Sequence, residues 1–358
     1  MLAVPPTTVR SVGTCDLTSV IRNPGGAPNV VVIGKGSAGK RHAKILAEEM
    51  SDAQLTHVGA RDFLNGNYIF DDSPDFAGTA ALRFAIVASP ASTHHDIALP
   101  FLNRGVPVLI EKPLASNVAD ARGIVKAAAQ SGTLLKVGYV MRHYEDFAQV
   151  EQLLNENVIG KPYFSRFDVG QFLPDWRPAE DYRSTVSAQA ALGGGVLLEL
   201  SHEIDLALKL FGRPTEVACE ANRYGSLEVD VEDCATVSLF YGAPSQRYMK
   251  TEIRMDFLRR VPSRTLEVHG TEGVLIWDVL AHSVSYLTPT IGTWTTVQKV
   301  AATRHDPFLT QFKSFASELA GGFNPAVTGL EVMEVIEMCR ESISLDGHAL
   351  VFRGSRSG

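Results

Sequence analysis

Val30-Val31-Val32-Ile33-Gly34-Lys35-Gly36-Ser37-Ala38-Gly39, running into a helical pattern over residues 40–50, sets the architecture of the first half of this 358-residue chain. Four consecutive β-branched residues suit a strand buried on both faces of a parallel sheet. The glycine-rich turn that follows lies between strand and helix, the context in which such a turn cradles a dinucleotide. Gly34 permits the tight turn, Gly36 lets the backbone approach a pyrophosphate, and Gly39 lets helix and strand pack closely. The free amides at the helix start then meet the phosphates. Gly34, Lys35, Gly36, Ser37, Ala38 and Gly39 are therefore expected to bind the cofactor.

Strand and helix alternate downstream. Strands are expected at 55–58, 84–88, 106–110 and 134–139, with helices around 95–103 and after Ser116, a candidate cap. The helix after Ser116 carries Val118, Ala121, Ile124, Val125 and Ala128 on one face, and Gly132 stands where a C-terminal cap glycine belongs. This alternation specifies a doubly wound α/β domain ending near residue 140. The second half reads differently. Met249, Thr251, Ile253, Met255 and Phe257 alternate with Lys250, Glu252, Arg254 and Asp256, and Ala235, Val237 and Leu239 alternate with Thr236 and Ser238. Leu266, Val268 and the run 274–277, around a turn at Gly270–Gly273, suggest a hairpin. The expected second sheet is mostly antiparallel and half-exposed, so one face must find a cover. Helices over 196–211 are expected to cover one face and an oligomer interface the other, and two further helical stretches, 307–319 and 330–343, complete the chain. The chain thus divides into an extension (1–28), a dinucleotide-binding domain (29–142), a substrate-binding and oligomerisation domain (143–345) and a tail (346–358).

Composition narrows the function classes. Hydrophobic residues make up 45% and charged residues 20%, which supports a sizeable core. A formal charge of −7 argues against a general nucleic-acid or membrane-surface binder, because either needs a basic face. The four cysteines, Cys15, Cys219, Cys234 and Cys339, are far apart and form no C-x-x-C pair, so they read as reduced, mostly buried thiols. No apolar run reaches the ~18 residues of a membrane span. Residues 1–28 lack the basic start and apolar stretch of a signal peptide. A cytoplasmic enzyme is the expectation.

Three positions carry the expected chemistry. An acid at the end of the second strand would favour NAD by binding the adenosine ribose; the chain offers Gly59-Ala60-Arg61 instead, and Arg61 favours NADP. Glu111-Lys112-Pro113 ends a strand on the edge where ligands sit in open α/β sheets, and a lysine there can steady alkoxide character during hydride transfer. Gly193-Gly194-Gly195 precedes Glu199, His202 and Asp205, which share a face at helical spacing. An acid beside a histidine is what a general base for alcohol oxidation needs. Two acids and one histidine are a weak metal signature, and no metal is expected.

Together these residues resemble the glucose–fructose oxidoreductase / inositol dehydrogenase family, Gfo/Idh/MocA. The likeness runs through the glycine turn with Lys40-Arg41-His42, Ser89-Pro90 with His94, Glu111-Lys112-Pro113, the triple glycine and His202-Glu203-Ile204-Asp205. It implies a Rossmann domain and a C-terminal α/β domain with a large open sheet that builds dimers or tetramers. It also implies that Lys112 and His202 line the active site, that Ser89, Pro90, His94, Glu111 and Arg142 contact the cofactor, and that His143 and Asp205 contact substrate. The family commonly places an Asp four residues before the histidine; here Leu198 holds that position and Glu199 is the nearby acid.

The expected activity is NAD(P)-dependent hydride transfer to or from a carbon–hydroxyl group of a sugar, nucleotide-sugar or cyclitol, with His202 as base, Lys112 on the developing oxyanion and Glu199 as the accompanying acid. Two alternatives keep the fold. The cofactor is recycled within one cycle, or the chain is a dinucleotide-binding sensor or repressor, against which the presence of Lys112 and His202 argues.

Overall fold

A computed structural model of the chain describes residues 29–66, 82–297, 306–324 and 329–352. The expected N-terminal extension and the last residues of the tail lie outside these. The first unit alternates β1 (Asn29–Ile33), α1 (Ser37–Glu49), β2 (Gln54–Val58), α2 (Ala60–Leu64), β3 (Leu82–Val87), α3 (His94–Leu102), β4 (Val108–Glu111), α4 (Val118–Ser131) and β5 (Leu135–Gly138). All five strands are parallel, in the order β2-β1-β3-β4-β5. Residues 30–33 are almost wholly buried, as a continuous apolar run in a doubly covered sheet must be. The cap of α4 is Asn117, whose side chain accepts from the Asp120 amide, so the cap lies one residue beyond the expected Ser116. Gly132 ends that helix in the left-handed conformation, as expected.

The second unit begins with α5 (Glu145–Asn155) and β6 (Pro162–Gly170) and continues through α6 (Val196–Glu199), α7 (His202–Phe211), β7 (Glu216–Asn222), β8 (Cys234–Tyr241), β9 (Met249–Asp256), β10 (Ser263–Gly270), β11 (Gly273–Asp278), β12 (Ser283–Leu287) and β13 (Thr295–Val297). Then come α8 (Pro307–Glu318), α9 (Leu330–Ser344) and β14 (Leu350–Val351). Nine strands order as β13-β12-β11-β10-β6-β9-β8-β7-β14, antiparallel except for the β6·β9 pair. The alternation read from β8 and β9 is the burial pattern observed, with Ala235, Val237, Leu239, Thr251, Ile253 and Met255 facing inward. Gly270 pairs with Gly273 at the expected hairpin. β14 falls in the expected tail and extends the sheet edge beside β7.

One helix crosses the expected domain division. α8 returns to the parallel sheet, where Phe312, Phe315 and Ala316 join Val30, Val32, Ile45, Leu46 and Phe84 in one cluster. Phe315 meets Phe84 edge-on at 5.4 Å between ring centres. α9 packs against α4, α7 and β7, binding the two sheets into a common core. No helix among the described residues is long and apolar enough to cross a membrane. Cys219 and Cys339 are buried and Cys234 is half-buried, all three as free thiols; Cys15 lies outside the described residues.

Candidate active site

The glycine turn lies where β1 meets α1. Gly34 has φ +121°, a backbone state open to glycine, and its carbonyl oxygen lies 2.8 Å from His57 Nε2 on β2. Gly36 caps α1 without a side-chain cap, leaving the first amides of the helix available. These residues line a cavity of about 470 Å³. Ala60, Ser89, Pro90, Glu111 and Lys112 extend that wall, while Arg177, Glu180, Ser187 and Glu199 form the opposite one. An uncapped helix start, an open glycine and a long cleft fit a dinucleotide. Ala60 lines the cleft at the end of β2, at the position where an acid would bind the ribose. Arg61 is exposed one residue further, on α2.

Neighbouring strand ends are stapled to each other. His94 is buried, with Nε2 2.9 Å from the Ser89 carbonyl and Nδ1 3.0 Å from that of Pro113, so it ties the loop after β3 to the loop after β4. Burial lowers its pKa despite those carbonyls. Glu111 Oε1 lies 2.7 Å from His42 Nε2 on α1, and Oε2 accepts from the Lys112 amide. Burial alone would push the Glu111 carboxyl up; the His42 bond and the Lys112 charge outweigh it and hold the pKa below its ordinary value. The Lys112–Pro113 peptide is cis.

Lys112 reaches across to the second unit. Its Nζ donates to the Glu199 carbonyl at 2.8 Å and lies 4.0 Å from Glu199 Oε1. Glu199 Oε2 accepts from Ser187 Oγ at 2.8 Å. His202 opens α7, packs edge-on against Tyr139 at 5.7 Å, and has a buried Nδ1 without a partner. Burial, then the charges of Arg264 and Lys112, keep its pKa well below the ordinary histidine value. The ring is therefore neutral near pH 7 and competent to accept a proton.

The single helical face expected for Glu199, His202 and Asp205 is not formed. Leu200 and Ser201 break the helix between α6 and α7, putting Glu199 with Lys112 and His202 on the next turn. Asp205 turns away to receive both hydrogen bonds of Arg142, at 2.8 and 2.6 Å. Burial raises the Asp205 pKa, against the pull of Arg142. Arg142 thus meets a carboxylate here, beside the half-buried His143 on the same short turn. Arg259 pairs with Asp256 and Asp168, and Arg260 stacks on Phe172. Sequence reading passed over His57, Ser187, Tyr139 and Arg264, and named His42 only within the family motif. Only Arg264 carried a signal: it is a cation in phase with the inward Leu266 and Val268 of β10.

Comparison with known proteins gives the same architecture. Residues 28–139 match the oxidoreductase family with an NAD-binding Rossmann fold, Gfo/Idh/MocA, and residues 147–276 match the C-terminal domain of that family. A scyllo-inositol 2-dehydrogenase (NAD(+)) of Bacillus subtilis is 24% identical over 327 residues, covering 86% of this chain and 90% of that protein. A scyllo-inositol 2-dehydrogenase (NADP(+)) of the same organism is 27% identical over 256 residues, 65% of this chain and 71% of that one. An inositol dehydrogenase homologue from Azotobacter vinelandii, solved with NADH and myo-inositol, superposes with a TM-score of 0.73 at 14% identity, over 92% of this chain and 98% of that one.

Proposed function

This chain belongs to the Gfo/Idh/MocA family of NAD(P)-dependent oxidoreductases, and we propose that it moves a hydride between the nicotinamide and a carbon–hydroxyl group of a sugar, nucleotide-activated sugar or cyclitol. One observation carries the reading: Lys112 and Glu199 join where the dinucleotide cleft meets the second unit, with His202 opening the next helix three residues after Glu199. When bound, the nicotinamide supplies the hydride acceptor or donor. His202 takes the hydroxyl proton in the oxidative direction and returns it in the reverse one. Lys112 donates toward the oxygen as charge develops there, held in place by the Glu199 carbonyl. Ser187 orients the Glu199 carboxylate beside Lys112. His94, the His42–Glu111 pair and His57 hold the loops that present the cofactor wall.

Gly34 to Gly39 and the Ser89-Pro90 loop form the dinucleotide side; the exposed Arg61 and the uncharged Ala60 support a preference for NADP. His143 and Asp205 are proposed on the substrate side, Asp205 through the Arg142 it anchors. The three described thiols are free, in keeping with a cytoplasmic enzyme. The open sheet face supports a homodimer or homotetramer.

The test begins with titration of the protein by NADPH and NADH. Binding of both, tighter for NADPH and with that preference lost in Arg61→Ala, is the expected result. Lys112→Ala and His202→Ala should each then lower kcat on a polyol by about 10²–10⁴-fold while dinucleotide binding persists. Unchanged turnover in both variants would remove the assignment.

A further inference from the structure

The first turn of α7 holds two buried carboxylates that point to opposite partners. Asp205 is gripped by Arg142 from the turn after β5, and Glu203 by Arg264 of β10, whose Nε and Nη2 donate at 2.7 and 3.1 Å. Glu203 is 2% exposed and Asp205 wholly buried. Each pair is a two-point fork, which fixes orientation as well as distance. His202 therefore sits on a turn pinned to the dinucleotide domain on one side and to the large sheet on the other. Arg264 is half-buried near the start of β10, in phase with the inward Leu266 and Val268, where an aliphatic side chain would avoid the partial desolvation of a cation.

We propose that the Glu203–Arg264 pair is a positioning device for the proton transfer: Glu203 aims the guanidinium, and the guanidinium fixes the place and charge state of His202. The inference rests on the reading of His202 as the base. The charged and titratable groups around that ring come from every neighbouring element. Lys112, at the end of β4, acts on it and Tyr139 packs on it; Glu199, bonded to Lys112, ends α6, and Arg142, on the segment after β5, is held by Asp205. Arg264 and the adjacent Tyr144 lie on the sheet side, and Glu203 and Asp205 on α7 itself. Arg142 offsets the charge of Asp205. Arg264 and Lys112 are the two cations that disfavour the protonated ring.

The sign of the effect separates this role from simple bracing. Removing the Arg264 charge relieves repulsion of the imidazolium, so the His202 pKa rises. Removing the Glu203 charge leaves Arg264 uncompensated, so the pKa stays or falls further. A pair that only braced the fold would move the ring in the same direction in both variants. The His202 ring is followed by NMR in protein with 13C-labelled histidine, its signal assigned by comparison with His202→Gln, alongside the acidic limb of kcat/KM.

Arg264→Met should move both upward by about one pH unit or more. Glu203→Gln should not raise either, and Arg264→Lys should restore the wild-type titration. Arg264→Met and Glu203→Gln shifting alike, or no shift in Arg264→Met, would overturn the proposal. If Arg264→Met does not fold, an upward shift in Glu203→Gln overturns it and a downward or absent shift supports it. The ring is read without substrate. A protein showing this pattern but oxidising no polyol would support the pair and count against the dehydrogenase reading alone.

Discussion

A methyl group on Gly36 would meet no atom within 4 Å, whereas one on Gly34 would lie 2.0 Å from the Ala88 carbonyl oxygen and one on Gly39 1.8 Å from that of Gly34. Gly36 also has φ −71°, which any residue adopts. The fold thus demands glycine at Gly34 and Gly39 but not at Gly36, where the absence of a side chain would suit close approach by a ligand. Gly36→Ala should leave urea-denaturation stability within about 1 kcal/mol of wild type and weaken NADPH binding by about tenfold or more. Gly34→Ala should fail to fold, since it adds positive-φ strain to a clash with backbone. Equal stability of the two variants would contradict this division. The tight turn at Gly34 and the close packing at Gly39 were legible because they lie within one turn. Lys112 and His202 were legible as polar residues in set local contexts. Arg264 and Glu203 were not paired in the reading, because 61 residues separate them and neither has a local signature.

Periodicity exposed the elements that repeat a pattern over a turn or more, and it failed where tertiary partners decide. α4, β8 and β9 were read with ends close to those observed. α5 and β6 were not read, although β6 sits mid-sheet between β10 and β9. The break between α6 and α7 was also invisible, because Leu200 and Ser201 fit a continuous helix. α8 was recognised as a helix without a packing partner: its apolar face could serve either sheet, and only the structure puts it on the parallel one. That placement has a stability consequence. Phe315 is wholly buried against Phe84, so Phe315→Ala should destabilise the dinucleotide domain by about 3–5 kcal/mol, read by urea denaturation with NADPH binding as a second probe. A loss below about 1 kcal/mol would show that α8 is not a structural cover for that sheet.

At the scale of the whole molecule, the large sheet has more surface than the described helices cover. α5, α6, α7 and α9 all approach the side that buries Leu275 and Trp277, and Trp277 donates to Asp146 of α5 there. On the opposite side, Phe164, Phe240, Val274 and Ile276 are half-buried beside a ladder of paired charges, Lys250–Glu252–Arg254 on β9 and Arg166–Glu267–His269 across β6 and β10. Apolar residues among charges that already have partners on their own surface suit a second copy of the chain, which can bury the former without stranding the latter. The alternation along β8 and β9 announced an open face from sequence alone, but its extent was not legible, because five of the nine strands carried no pattern of their own. Light scattering of the purified protein should give a dimer or tetramer mass. Ile276→Asp, on that face and outside the residues lining the dinucleotide cleft, should lower it toward the monomer while NADPH still binds. A wild-type monomer would leave the open face without the partner assigned to it, and an Ile276→Asp protein of unchanged mass would move the interface to another surface.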